Sequence, residues 1–336
     1  MYSQPERNQM TPHLTKTGLT LALLLAFGAA SADDYSALLK AKKYAEVEKM
    51  ASAKLAQEPA NAEAIAGKVD AILASSGDER LAEAVKLAEQ CVAANPSNAI
   101  CHLTLGKALG KKAMSGGMMS AISYAGNIRD AFKKAVELDP KNLEARFALL
   151  QFYVIAPGFM GGGASKAESL VAQTMVLNPE AGKLMTAMVD VTEGRLPKAE
   201  SLAASARPGA DPELLDQHES LYINIGVKFI TDKKHADGER VFRDGLKRFP
   251  DSDNFPLMIA RAQQEQGKHR EALAALEHIM AKRPRASVQY RIGQSLQALG
   301  EKPRAMAAYE KALALKPALP KKLRSDAEEQ LKALKG

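Results

Sequence analysis

The stretch YRIGQSLQALGEKPRAMAAYEKALALKP, residues 290–317, decides the fold. It indicates a helix, a turn at Gly300, a second helix and a stop at Pro317. Used as a template, it recurs along the chain at intervals of about 34 residues. The template positions are Ile292, Gly293, Leu296, Gly300, Ala305, Tyr309, Ala312 and Pro317. A period of this length predicts an array of stacked helix pairs.

Each template position has a packing reason. Gly293 lets the first helix approach its partner closely, and Ala305 and Ala312 do the same from the second helix. Tyr309 fills the space between successive pairs, and Pro317 ends the helix because it cannot continue the hydrogen-bond ladder. Aromatic residues make up only 5% of the chain and tryptophan is absent, which is typical of closely packed helices with small residues at their crossings.

The repeats divide the chain into an N-terminal part, 33–208, and a more regular C-terminal part, 209–320. Two N-terminal units are longer than one repeat, and we expect their surplus, 113–127 and 156–163, to form insertions that project from one edge. The Pro/Gly-rich break RPGADPE predicts a mild hinge between the two parts. The final segment, 321–336, has apolar residues at helical spacing and predicts a capping helix that covers the last repeat.

The template resembles the tetratricopeptide repeat, most closely in the three C-terminal units and least in 33–59 and 97–179. The resemblance implies an all-α superhelical solenoid of about seven to eight antiparallel helix pairs. It also implies a scaffold that binds a protein or peptide in its concave groove and does no chemistry. The lysine and asparagine clamp of chaperone-binding members is absent, because the comparable positions hold Leu257, Arg261, Ile223, Val227, Tyr290 and Gln294.

The inward positions of the repeats supply the candidate peptide-binding residues. The middle units offer apolar side chains, namely Phe152, Tyr153, Met188, Ile223 and Val227. The last units offer polar ones, namely Asn254, Arg261, Gln264, Tyr290, Gln294 and Gln297. One interpretation is an apolar groove that grades into a polar end and suits an amphipathic helix or extended peptide. The other is that tight curvature buries the apolar members as core.

The N-terminal segment 1–32 has the features of a signal peptide. An apolar run, Leu19–Ala30, follows Lys16 and precedes Ala30-Ser31-Ala32, a pattern that signal peptidases accept. Cleavage after Ala32 would release a periplasmic or secreted protein without a membrane span. The alternative is an uncleaved anchor, and Met10 is an alternative start to Met1 because it opens a more compact signal.

The two cysteines are candidates for a disulfide. Cys91 and Cys101 lie on either side of Pro96, at the predicted end of one helix and start of the next. An oxidising compartment would permit a bond between them. The alternative is two buried small hydrophobic residues, because spacing alone does not fix the separation of their Cα atoms.

Motifs for other functions are missing or weak. The net charge of +7 is spread along the helices, and the most basic run, 316–324, lacks the interleaved aromatic residues of a nucleic-acid surface. The run Gly161-Gly162-Gly163 does not have the spacing of a phosphate-binding loop. No metal-ligand or catalytic motif occurs, so we expect no cofactor, no bound metal, no nucleic acid and no enzymatic activity.

Overall fold

The computed structural model describes residue 1 and residues 32–75, 78–316 and 319–336. The apolar run of the predicted signal peptide and the predicted helix stop at Pro317 lie outside the described residues. Regular structure in the described part is helical throughout, as predicted. Its helices are α1 (Ala32–Lys40), α2 (Tyr44–Gln57), α3 (Ala62–Ser75), α4 (Leu81–Ala94), α5 (Ala99–Ser115), α6 (Gly117–Leu138), α7 (Leu143–Ile155), α8 (Ala164–Leu177), α9 (Pro179–Thr192), α10 (Leu196–Ser205), α11 (Pro212–Thr231), α12 (His235–Arg248), α13 (Asn254–Glu265), α14 (His269–Lys282), α15 (Ala286–Ala298), α16 (Lys302–Ala314) and α17 (Lys321–Lys335).

These helices form an array of hairpins. Within the described residues, α1 to α16 make eight consecutive pairs, and α17 packs on α15 and α16 as a single terminal helix. This arrangement confirms the predicted all-α solenoid of seven to eight pairs with a C-terminal cap. The asparagines that precede α5, α7 and α9 each cap the helix by accepting a hydrogen bond from a backbone N–H in its first turn.

The template positions pack as their residue types require. A Cβ atom on Gly293 would lie only 2.8 Å from Cδ1 of Tyr309, so this helix crossing needs a glycine. Tyr309 itself is 1% exposed. Two earlier repeats use the same glycine–aromatic contact, Gly106 with Phe132 and Gly226 with Phe242, so they pack like the template.

The main hydrophobic core is continuous across the break in the repeat register. One cluster of buried residues extends from Ala62 to Ala262, so it includes both sides of the predicted hinge at 207–213. The break is also bridged by polar contacts. Arg248 donates to the carbonyl oxygen of Ala206 at 2.7 Å, and Nε2 of His218 lies 2.7 Å from the carbonyl oxygen of Ala203.

The two long units differ in the structure of their surplus residues. Residues 113–127 lengthen α5 and α6 and leave only Gly116 between them, so this insertion is itself helical. Its tip exposes Met114, Met118 and Met119 at 82%, 73% and 78%. The other surplus, 156–163, contains a single 3₁₀ turn at Gly158–Met160.

The array curves until its first pair reaches the C-terminal half. Nζ of Lys40 lies 2.9 Å from Oδ2 of Asp216, and Nζ of Lys42 lies 3.8 Å from Oδ2 of Asp253. Asp216 belongs to α11 and Asp253 immediately precedes α13. The two ion pairs therefore join the first helix pair to the sixth and seventh pairs.

Candidate peptide-binding groove

The odd-numbered helices form the inner layer of the curve. Contacts between alternate helices link α7, α9, α11, α13 and α15, whereas the even-numbered helices of the described part make no comparable contacts with one another. Helices on the inside of a curved array approach each other more closely than those on the outside. The array is most tightly curved at α9, because α7 and α11 contact each other across it.

The apolar candidates divide into two groups. Phe152, Met188, Ile223 and Val227 are half-buried and pack against the main core. Tyr153 is only 8% exposed and lines a different feature, a cavity of about 420 Å³ between α6, α7 and α8. The structure therefore separates Tyr153 from the other apolar candidates. Both sequence interpretations hold in part for the remaining four, which contribute to the core and keep some exposed surface.

A charged network that the motif search did not identify links three of the inner helices. Nζ of Lys107 on α5 lies 2.6 Å from Oδ1 of Asp70 on α3 and 2.8 Å from Oε1 of Glu144 on α7. Burial raises the pKa of Asp70. Burial alone would lower the pKa of Lys107, but the charges of Asp70 and Glu144 raise it above its ordinary value. The network is thus a preformed set of paired charges at the N-terminal part of the inner layer.

Glu213 extends the charged surface to α11. Burial raises the pKa of Glu213, and the carboxylates of Glu144 and Asp216 act in the same direction. Its Oε1 accepts a hydrogen bond of 2.9 Å from the Gln217 amide. The N-terminal ends of α7 and α11 therefore face each other with like charges, partly offset by Lys107.

The polar candidates of the last repeats bond mainly to other residues of this chain. Asn254 donates to Oε1 of Glu219 at 2.9 Å. Tyr290 is 4% exposed and donates to Oδ2 of Asp326 on α17 at 2.6 Å, while Gln294 donates to the Tyr290 hydroxyl. Gln297 donates to Gln330 of α17 and accepts from Tyr309. The capping helix thus occupies much of the surface that Tyr290, Gln294 and Gln297 would offer to a ligand.

Arg261 and Gln264 lie together at a cavity between α13, α15 and α17. The cavity has a volume of about 270 Å³, and its lining also includes Tyr290, Arg291, Gln294 and Leu323. Gln264 donates to the carbonyl oxygen of Arg291 and to Oγ of Ser295, and it accepts from Arg291. Nε of Arg261 is buried and has no hydrogen-bond partner among the described residues.

Two further findings concern metal ligands and membrane-spanning helices. No group of three or more His, Cys, Asp or Glu side chains could hold a metal ion in the part of the chain that the structure describes. The helices described here include none that combines the length and the apolar character needed to cross a bilayer. The glycine run 161–163 is a turn, with Gly161 at φ 93° and its N–H bonded to the carbonyl oxygen of Gly158.

The cysteines are bonded in the structure. Cys91 at the end of α4 and Cys101 at the start of α5 form a disulfide with a Cα–Cα separation of 5.2 Å. Both residues are fully buried in the main core. The short connection at Pro96 brings the two helix ends together, which is the first of the two arrangements that the sequence left open.

Sequence comparison identifies the repeats in the C-terminal part. Family models described as tetratricopeptide repeat match residues 257–286 and 286–319. No curated protein matches the chain in sequence.

Solved structures share the fold over most of the chain. A monomeric mutant of IFIT1 with m7Gppp-AAAA matches with 16% identity and a TM-score of 0.54, over 90% of this chain and 62% of that one. The human IFIT1 dimer with m7Gppp-AAAA also matches. A tetratricopeptide repeat protein from Parabacteroides merdae matches with 14% identity and a TM-score of 0.46, over 90% of this chain and 97% of that one. One chain of the APC/C hetero-tetramer Cut9–Hcn1 matches with 14% identity and a TM-score of 0.46, over 89% of this chain, and this chain spans about half, 54%, of that one. At these identities the likeness shows the fold alone. The family models show that the chain contains tetratricopeptide repeats at 257–319, within an all-helical solenoid.

Proposed function

We propose that the protein is an exported, non-catalytic scaffold that binds a peptide or protein segment on the inner surface of its solenoid. The observation that carries the proposal is the inner layer itself. There, half-buried apolar side chains at Phe152, Met188, Ile223 and Val227 lie between the charged network at Lys107 and the polar cavity at Arg261. Apolar anchors flanked by polar groups are the usual features of a surface that binds a peptide.

A photo-crosslinking amino acid at Ile223 tests the inner surface. We expect the protein, produced in its native host, to crosslink there to a discrete partner. The same amino acid at Val176, which is 85% exposed and lies at the end of α8, is the matched control and should give no specific product. Crosslinking at Val176 but not at Ile223 would contradict binding on the inner surface.

A second candidate function is that of a structural adaptor in cell-envelope assembly, which docks through the two inserted segments at one edge of the array. Large apolar side chains favour this alternative, since Met118 and Phe159 are 73% and 80% exposed. Exposed apolar side chains that cluster commonly mark interaction sites. A crosslinker at Met118 or Phe159 distinguishes the two functions, because only edge docking predicts a product there.

Export is tested separately from binding. If 1–32 is a cleaved signal peptide, N-terminal sequencing of the protein recovered from the host should begin at Asp33, and the protein should lie outside the cytoplasm. A product that keeps residues 19–30 and stays in the membrane fraction would support the uncleaved anchor instead.

A further inference from the structure

A cavity on the outer side of the array is separate from the inner surface. It has a volume of about 420 Å³ and lies between α6 and α8 of the outer layer, with α7 beneath them. Its floor is apolar, since Leu149 and Leu170 line it and are only 4% and 5% exposed. Sites for small ligands commonly have volumes of about 300–1,000 Å³ and an apolar lining with a few polar groups. The cavity therefore has the size and the floor of a small-ligand site.

One polar group at this floor lacks a partner. Tyr153 lines the cavity and is 8% exposed, and its hydroxyl makes no hydrogen bond to the described residues. Tyr35 also has an unpaired hydroxyl, but that group is enclosed in the core, whereas a molecule in the cavity can reach Tyr153. Burial raises the pKa of Tyr153 more than the charge of Arg129 lowers it, so the phenol is protonated and can donate. Buried phenols normally have a hydrogen-bond partner, and an acceptor on a ligand would supply one here.

The cavity has a positive end, which is the start of α8. The Gly163 N–H donates to the carbonyl oxygen of Tyr153 at 2.8 Å, which places the first turn of α8 beside the end of α7. No described side chain caps this helix N-terminus, and Ser165 and Lys166 of the first turn line the cavity. Nζ of Lys166 donates to the carbonyl oxygen of Gly161 at 2.9 Å and forms no ion pair with a described carboxylate. An uncapped helix N-terminus and an ammonium group both favour an anion.

The carboxylates around the cavity are paired, and one of them lies at its other end. Glu137 and Gln173 line that end, because α6 and α8 run in the same direction and both residues lie near the helix C-termini. The first turn of α8 is about 12 Å away along the helix. Nζ of Lys134 lies 3.7 Å from Oε2 of Glu137. Asp130 accepts two hydrogen bonds from Arg129, at 2.8 and 3.0 Å. The positive end of the cavity therefore stays distinct from its acidic end.

We propose that this cavity binds a small anionic amphiphile, an aliphatic chain that ends in an oxyanion. The oxyanion accepts a hydrogen bond from the Tyr153 hydroxyl and lies at the first turn of α8 near Lys166, and the chain covers Leu149 and Leu170. Lys133 of α6 lines the same cavity and adds a second cation. The inference goes beyond the proposed peptide-binding function, because the site lies between outer helices and uses none of the four apolar side chains of the inner surface.

Titration with octanoate tests the site by nuclear magnetic resonance. The backbone amide resonances of Ser165 and Leu170 in the purified protein should shift saturably with octanoate. Acetate has the oxyanion without the chain, and octan-1-ol has the chain without the oxyanion, so each should bind at least tenfold more weakly. Binding of either probe as tightly as octanoate, or the absence of a saturable shift with octanoate, would overturn the proposal.

Two variants and a matched control locate the binding. Tyr153→Phe removes a hydroxyl that has no bond to lose, so it should unfold at the wild-type temperature and bind octanoate at least fivefold more weakly. Tyr124→Phe on α6, outside the cavity lining, is the control and should bind octanoate like the wild type. Ser165→Glu places a carboxylate where the helix N-terminus favours it, so the fold is kept. This variant should bind octanoate at least tenfold more weakly and octan-1-ol as before. Wild-type affinity for octanoate in both Tyr153→Phe and Ser165→Glu would overturn the proposal.

Vesicles of phosphatidylglycerol distinguish two sources of the same chemistry. A site for free amphiphiles predicts that the vesicles do not retain the protein. Retention of the wild type but not of Ser165→Glu would identify a membrane lipid as the source. Octanoate binding requires no protein partner, so its failure would leave the crosslinking result at Ile223 unchanged, and a failure to crosslink would leave the octanoate result unchanged.

Discussion

The Tyr290 hydroxyl donates a hydrogen bond of 2.6 Å to Oδ2 of Asp326, which fastens the last complete repeat to the capping helix. Burial raises the pKa of Tyr290, and its hydrogen bond to Asp326 raises it further, so the phenol stays protonated as the donor. Tyr290 thus has a structural role at a position where the repeat pattern alone indicates a ligand contact.

Replacing Tyr290 with phenylalanine tests that role. A hydrogen bond to a charged group contributes about 1.5–3 kcal/mol, so Tyr290→Phe should loosen α17 and raise the exchange of its backbone amides with deuterium by about ten- to a hundredfold. Lys332→Gln, at an exposed position of α17, should leave exchange unchanged. Unaltered exchange in Tyr290→Phe would mean that the apolar contacts of α17 alone hold it in place.

Gly226 lies where α11 crosses α12, and its surroundings show why that crossing needs a glycine. A Cβ atom there would lie 2.3 Å from Cε1 of Phe242, whose ring is fully buried. Overpacking of this kind costs about 1–3 kcal/mol, so Gly226→Ala should lower the free energy of unfolding by that amount. Gly110→Ala on α5 is the control, because nothing lies within 4 Å of its added methyl group. Helix propensity predicts that Gly110→Ala is neutral or slightly stabilising, and equal losses in both variants would contradict the steric explanation.

His218 should make the stability of the protein depend on pH. It is fully buried, with Tyr222 and Phe249 rings each at 5.3 Å, and burial lowers its pKa. Arg248 and Arg207 lower this pKa further, while its contact with Ala203 and the charge of Glu180 raise it. The unfolded chain therefore binds a proton at a higher pH than the folded protein does. Stability should fall as the pH drops below about 6.5, the ordinary pKa of histidine.

The comparison of variants isolates the contribution of His218. Buried carboxylates such as Asp70 have raised pKa values and stabilise the protein as the pH falls, which opposes the effect of His218. Urea unfolding at pH 7.5 and pH 5.5 should therefore show a smaller loss in His218→Gln than in the wild type. The control His278→Gln, at an exposed site, should behave like the wild type. A loss equal in His218→Gln and the wild type would exclude this histidine as the cause.

The disulfide between Cys91 and Cys101 should stabilise the protein against unfolding. Closing a loop of 10 residues removes conformational freedom from the unfolded chain, which corresponds to about 2–3 kcal/mol. The double variant Cys91→Ala, Cys101→Ala should lose about that amount in urea unfolding, and reductant should destabilise the wild type but not the variant. Two free thiols in the protein from its native host, detected by mass spectrometry after alkylation, would show that the bond does not form there.

The sequence predicted the features that depend on local residue type. Gly293 and Tyr309 meet where two paired helices cross closely, so the spacing of such residues was enough to predict the helix pairs, and the apolar spacing of 321–336 predicted the cap. Residues 113–127 were harder to predict, because their glycines indicate a loop whereas the contacts between α5 and α6 keep the segment helical.

The polar sites could not be predicted from the template, because their positions depend on which faces of neighbouring helices meet and the template does not determine those faces. Asp70, Lys107 and Glu144 resemble ordinary surface charges when each helix is considered alone. Their spacing is the signal that could have identified them, because Lys107 and Glu144 are 37 residues apart and Asp70 precedes Lys107 by the same interval. Residues at equal repeat positions come together on the inner layer, so opposite charges at that interval predict pairs.

Removing the central charge of this network should cost more stability than removing an ordinary surface charge. Lys107→Met would leave Asp70 and Glu144 close together without their shared cation, in a place where burial already raises the pKa of Asp70. Breaking a buried pair in this way costs about 3–5 kcal/mol, and the partial exposure of these side chains reduces that to about 1–3 kcal/mol. Lys111→Met on the same helix, at an exposed position, removes the same charge and should change stability by less than about 0.5 kcal/mol. The loss in Lys107→Met should shrink at pH 4, because protonation of Asp70 relieves the repulsion with Glu144. A loss that stays constant between pH 7 and pH 4 would show that Lys107 acts through its packing and not through its charge.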